Sequence, residues 1–203
     1  MRKMSLFCAT ALLLVSGLVT AEKIKVGVAW DIKSAKPELT FKGFQEAIQK
    51  MAPDIELEVC KETGTGDAFA AVVKRFETEK KGMVLLRSSG AEYLMKNPPA
   101  IPAFIGASNH PGMMGVIKDV NAPEGKITGT SYAVSVETQF ETFKAILPKM
   151  KTVMLLLEKG HPGTPVDQKE TQAVCKKLNI EYKEAVCENK EQVIKAIQDN
   201  QAS

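Results

Sequence analysis

The chain has 203 residues, 44% of them apolar, and its 27 Lys and Arg against 24 Asp and Glu leave a formal charge of only +3. That near balance removes the electrostatic footprint on which a nucleic-acid or membrane-surface binder depends. The Lys- and Glu-rich stretches, such as Glu77 to Lys81, then read as solvated helix faces.

Residues 1–21 read as a signal peptide. Arg2 and Lys3 make a basic start, Leu6 to Val19 is an apolar run shorter than a membrane span, and Val19-Thr20-Ala21 supplies residues suited to cleavage after Ala21. Cys8 follows Phe7, so no lipoprotein box is present. The expected mature protein is exported to the periplasm or another extracytoplasmic space, with no stable membrane insertion after cleavage. Losing Arg2 and Lys3 brings basic and acidic residues closer still to balance. Cys60, Cys175 and Cys187 remain, an odd count that leaves at least one thiol unpaired. Cys175 sits near the end of a predicted helix and Cys187 at the far end of the next strand. At ~3.3 Å per strand residue that separation exceeds the ~7 Å Cα limit for a disulfide.

From Lys23 onward, strands and helices alternate. Strands are predicted at 24–30, 55–59, 83–87, 101–106 and 126–132, with helices at 37–51, 67–80 and 90–96 between the first four. Short apolar runs separated by helices indicate a parallel sheet covered on both faces. This makes a first α/β lobe of residues 22–132. A second lobe, residues 133–203, carries a helix at 136–147, a strand at 152–158, a helix at 165–178, a strand at 180–186 and a helix at 189–199. Residues 24–60 and 152–187 repeat one strand–helix–strand unit, each ending in a cysteine, which is how two similar lobes come to face one ligand cleft. Residues 133–203 fall short of the ~100 residues such a lobe generally needs. The second lobe is therefore expected to be incomplete, and residues 22–203 alone to be marginally stable, weak in binding and prone to associate.

Ligands of such sheets bind beyond the strand carboxyl ends. After the first strand, Trp30 is placed to stack on a ligand ring or pack at the lobe edge. Asp31 is placed to hold an ammonium group or serve as an ordinary loop acid. After the third strand, Arg87-Ser88-Ser89-Gly90-Ala91 leads into a helix, and hydroxyls beside free N–H groups there suit a carboxylate or a simple cap. After the fourth, Asn109 lies in a segment of small and amide residues that suits either a polar ligand or a turn, and His110 reads as a turn histidine. Ser131 falls near the hinge, and Glu158 reaches the cleft from the second lobe. Thr63-Gly64-Thr65-Gly66-Asp67 lacks the P-loop lysine, and Asp67 reads as the cap of the following helix. His110 and His161 lie far apart, the cysteines have no paired spacing, and no Gly-x-Ser-x-Gly elbow occurs. No metal, cofactor or catalytic role is read from these residues.

Several segments together resemble one family. IKVGVAW, FKGFQEAI, ETGTGDAFAAVVKRF, IPAFIGASNHPG, GVIKDVNAPEGKITGTS and QFETFKAILPKMKTVMLLLE, in that order, are similar to the ABC transporter substrate-binding proteins whose better-known members bind tryptophan or tyrosine. The most specific part runs from Asn109 to Ser131, where the family has a Thr-Asp-Pro turn and a Gly-Gly-Asn-Ile-Thr-Gly element. Here these read Asn109-His110-Pro111 and Glu124-Gly125-Lys126-Ile127-Thr128-Gly129. The resemblance implies a type I periplasmic-binding fold, two doubly wound parallel-sheet lobes closing on a small molecule such as an amino acid. It also implies delivery to the permease and ATPase subunits of an ABC importer. The family's Gly-Thr-Pro-Ala-Ala helix start falls on Ser88-Ser89-Gly90-Ala91, and His110 departs from the usual aspartate. An extracytoplasmic ligand-sensing module of a signalling system is the alternative reading, and neither reading is an enzyme.

Overall fold

The computed structural model describes residues 23–200; the expected signal peptide lies outside them. The first lobe is a five-stranded parallel sheet of β1 (Ile24–Ala29), β2 (Ile55–Cys60), β3 (Gly82–Leu86), β4 (Ala103–Ser108) and β5 (Ile127–Ser131), in the order β2-β1-β3-β4-β5. Crossover helices α1 (Ala35–Met51), α2 (Asp67–Glu79) and α3 (Arg87–Lys96) cover both faces. On one face Phe69, Val73 and Phe76 of α2 and Leu94 of α3 pack on Ala29, Met83, Leu85 and Ile105. On the other, Phe41 of α1 packs with Val28, Trp30, Val84 and Leu86. Alternate residues of one strand thus enter opposite cores, as a fully covered strand requires.

The second lobe holds α4 (Val136–Ile146), β6 (Thr152–Glu158), α5 (Thr164–Leu178), β7 (Glu181–Cys187) and α6 (Lys190–Asn200). Strands β6 and β7 pair in parallel over their whole length, from Thr152 with Glu181 to Glu158 with Cys187. Val136 and Phe140 of α4 pack with Val174 and Cys175 of α5 and with Ile180. Burial pushes the Cys175 thiol above its ordinary range, so it stays protonated. Leu156, Val186, Ile194 and Ile197 remain exposed. Cys60, Cys175 and Cys187 are all free.

Element boundaries moved where first-turn chemistry overrode the sequence signals. Helix α1 begins at Ala35, ahead of Pro37, because the N–H that proline lacks would have no acceptor in a first turn anyway. Gly66, rather than Asp67, occupies the cap position of α2; Asp67 stands one step inside it, where its charge meets the positive helix end. Strand β4 starts two residues later and runs two further than predicted. A register shift between Ile105 and Ser108, with Ala107 at φ +50°, lets it continue past Gly106. Helix α3 begins at Arg87, three residues earlier than expected.

Candidate functional site

In the order β2-β1-β3-β4-β5 the chain leaves β1 to one side, for β2, and returns on the other, for β3. The carboxyl ends of β1 and β3 therefore flank the point where the winding reverses, and loops diverging there leave a crevice. Asp31 follows β1 and Arg87 follows β3. Their side chains span the crevice floor, with Arg87 Nη1 donating to Asp31 Oδ1 at 2.6 Å. The Ile32 N–H donates to the same oxygen at 2.9 Å. Arg87 holds φ +76°, a left-handed conformation that costs a residue with a Cβ about 1–2 kcal/mol. Such strain persists only where the surroundings impose it, and it concentrates at functional sites.

A cavity of about 430 Å³ opens above this pair. From the first lobe it is lined by Asp31, Arg87, Ser88, Ser89 and the Phe69 and Tyr93 rings, and from the second by Glu158 and His161. Phe69 and Tyr93 meet edge to face at 5.7 Å and give the cavity an aromatic wall. Burial, with Glu77 adding a smaller effect, pushes the Tyr93 hydroxyl above the usual phenol range, so the ring stays neutral. A smaller cavity of about 190 Å³ shares Arg87, Ser88, Glu158 and His161 and extends to Lys36 and Tyr132, whose ring lies 3.8 Å beneath the Lys36 ammonium.

Across the cleft, the loop after β6 is tightly tied. His161 N–H donates to the Glu158 carbonyl, Thr164 N–H to the His161 carbonyl, and Thr164 Oγ1 also donates to the Glu158 carbonyl. The Gly163 N–H donates to His161 Nδ1 at 3.0 Å, so a neutral His161 carries its proton on Nε2. The lobes also meet through side chains. His110 Nε2 lies 3.1 Å from Asp167 Oδ1, and both residues border a third cavity of about 460 Å³ beside the hinge segment Tyr132 to Val134.

Of the residues selected from the sequence, Asp31, Ser88, Ser89 and Glu158 line the main cavity, and four do not. Trp30 is a correction: its ring is fully buried, tilted against Phe41 at 5.8 Å, because this face of β1 belongs to the core under α1 rather than to the crevice. Gly90 is another. It is buried in α3, where a Cβ would stand 2.9 Å from Leu85 Cβ, so glycine serves the close approach of helix to strand. Asn109 faces the hinge cavity, and its N–H donates to Ser88 Oγ at 3.1 Å. Ser131 stands at the end of β5, where its hydroxyl accepts the Ala133 N–H. Asp31, chosen to hold an ammonium, is already bound to Arg87. The sequence alone does not single out Arg87 or His161. Pairing Arg87 with Asp31 requires the strand order, but the place of His161 just beyond Glu158 in a repeated strand–loop–helix unit was a usable signal.

Trp30 gives a direct check, since it is the only tryptophan in the sequence. Its emission is expected to be blue-shifted in the native protein, insensitive to iodide, and to move red only on unfolding. Its indole N–H has no partner in the structure, so Trp30→Phe should leave stability within about 1 kcal/mol of the parent, lost area offsetting the removed unpaired donor. Ready iodide quenching of the native state would place the ring in the cleft after all.

Among the described residues no helix is long and apolar enough to cross a membrane, and no cluster of His, Cys, Asp and Glu is arranged to hold a metal ion. Residues 25–202 match the family model described as ABC transporter substrate binding protein. A curated relative, the tyrosine-binding protein of Clostridioides difficile, is 21% identical over 177 residues, covering 85% of this chain and 51% of that protein. The ABC domain from Streptococcus pneumonia in complex with L-Trp superimposes with TM-score 0.76 at 18% identity, over 89% of this chain and 63% of the other. A conserved domain protein from Vibrio cholerae gives TM-score 0.74 at 20% identity, over 87% and 62%. The chain thus spans about half the length of the curated relative and about three fifths of these structures. At such identities the likeness is one of fold, the two-lobed α/β type I periplasmic-binding arrangement.

Proposed function

We propose, for a chain that belongs to the ABC transporter substrate-binding protein family, that the cavity at the β1/β3 crossover captures a small molecule for an ABC importer. The reading rests above all on one observation: a cavity of about 430 Å³ walled by strand ends of both lobes. That volume is in the range of small-molecule sites. Residues 22–132 and 133–203 act as the two closing lobes, in an exported protein that passes its ligand to a membrane permease and ATPase and does no chemistry on it.

The cavity wall favours a zwitterion with an apolar side chain, such as an amino acid. A carboxylate placed at the start of α3 meets first-turn N–H groups without intrahelical acceptors, and behind them the Ser89 hydroxyl, which is buried from solvent and bonds no protein group. Asp31 is engaged by Arg87, Glu92 by Lys96, and Lys159 by Glu188. Glu158 enters no such pair, which leaves it for an ammonium group, while Phe69 and Tyr93 suit a ring. Closing the lobes excludes water and strengthens each polar contact.

Calorimetry with L-tryptophan, L-tyrosine and further amino acids tests the reading, with tryptamine and indole-3-propionate as analogues lacking one charged end. Binding of an amino acid but of neither analogue is the expected outcome. Ser89→Ala should then weaken binding by about 1.5–3 kcal/mol, the usual worth of a hydrogen bond to a charged group, with little change in melting. Ser88→Ala should also lower stability, since its hydroxyl accepts the Asn109 N–H. Full affinity in the Ser88→Ala, Ser89→Ala double variant would remove the carboxylate from this helix end.

A further inference from the structure

We propose that His110 and Asp167 form the tie that sets how often the lobes stand closed over the cavity, acting on the ligand only by positioning the two walls. His110 belongs to the segment after β4 in the first lobe and Asp167 to the first turn of α5 in the second, so their 3.1 Å contact spans the cleft. Their side chains are 7% and 31% exposed, so the bond is shielded from water on the imidazole side and reached by it on the carboxylate side.

Both partners are fixed in rigid frames. His110 sits at φ +49°, its carbonyl accepts the Met114 N–H, and the Pro111 carbonyl accepts the Val116 N–H, so the turn carrying the imidazole is locked. Asp167 stands at the positive end of α5, its N–H donating to the Gly163 carbonyl, and the same helix is anchored by buried Val174 and Cys175. Neither side chain can follow the other if the lobes part. A hydrogen bond is lost beyond about 3.5 Å, so an opening of a few ångströms breaks it completely.

Among the described residues the chain passes between the lobes once, through the exposed segment 132–135. The His110–Asp167 contact links the lobes across the cleft in addition to that segment. Affinity for a ligand that needs both walls scales with the fraction of molecules already closed. The pair therefore tunes binding from outside the main cavity, which neither residue lines.

The test reads the lobe separation without ligand, so it stands apart from the transport reading. Dyes at the exposed positions of Lys50 on α1 and Lys177 on α5 report the separation by single-molecule energy transfer. Asp167→Ala and His110→Asn are each expected to lower the ratio of closed to open molecules by about three- to tenfold, the effect of one lost hydrogen bond. Asparagine tolerates the left-handed turn but is too short to reach Asp167. The double variant should open no further than either single one, and Asp167→Asn, which keeps an acceptor oxygen, should remain near the parent. Parent-like distances in Asp167→Ala and His110→Asn, with melting unchanged, would overturn the proposal. If the His110 variant does not fold, Asp167→Ala decides alone. Failure of every amino acid to bind would count against the transport reading, while the measured distances would still decide for or against the tie.

Discussion

Arg87→Ala is expected to lower stability by about 3 kcal/mol and to abolish ligand binding. The Asp31 and Arg87 side chains are 6% and 19% exposed, and removing the guanidinium leaves a buried carboxylate with the Ile32 N–H alone. Breaking a buried pair costs about 3–5 kcal/mol, chiefly through the abandoned charge, and water reaching the space left by a partly exposed Arg87 holds the effect to the lower end. Two further variants separate the causes. Arg87→Gly loses the same charge but relieves the φ +76° backbone, so it should be about 1 kcal/mol more stable than Arg87→Ala. Asp31→Ala combined with Arg87→Ala should cost less than the two single losses added together, since no lone charge remains. Urea unfolding followed by circular dichroism measures these three variants and the single Asp31→Ala. An Arg87→Ala midpoint within error of the parent would mean that the pair does not hold the crevice floor.

Gly129→Ala should be comparably damaging for a purely steric reason. A Cβ at this position would clash with the Ile105 carbonyl oxygen and stand 2.8 Å from its nitrogen, so β4 and β5 would have to separate. Residues Ala103, Phe104 and Ile105 pair there with Ile127, Thr128 and Gly129, just before the register shift. Overpacking against backbone, which has no rotamer through which to yield, is expected to cost about 3 kcal/mol, the upper end of the usual range of about 1–3 kcal/mol. Because β5 leads directly into the interlobe segment, the lobes' relative placement should change too, and binding should weaken more than stability alone predicts. Gly43→Ala is the matching control: nothing lies within 4 Å of its Cβ in α1, and it should stabilise by about 0.5–1 kcal/mol through helix propensity. Thermal melts of the two variants that moved in the same direction would sink the steric account.

The order and type of the elements were legible in the chain because each covered strand is a short apolar run and each helix carries its own period. The repeat of strand, helix, strand and cysteine at 24–60 and 152–187 became β1-α1-β2 and β6-α5-β7, both parallel. That Ser88, Ser89 and Glu158 stand along the cavity was likewise readable, since strand ends are marked in sequence and loops beyond them define the crevice. The fate of individual side chains at those ends was not. Trp30 and Asp31 are adjacent, yet one entered the core and the other the crevice floor. Alternation along a strand says that neighbours face opposite ways, but which way is set by the helix that covers each face. Asp31 with Arg87 and His110 with Asp167 are pairs 56 and 57 residues apart, with no local pattern to announce them. The strand order brought the first pair together, and the approach of the two lobes brought the second. Periodicity, turn chemistry and strand ends are local properties and were fixed by the sequence itself. Charge pairing across the crevice and the cleft depends on distances that exist only once the sheet order and the lobe placement are set.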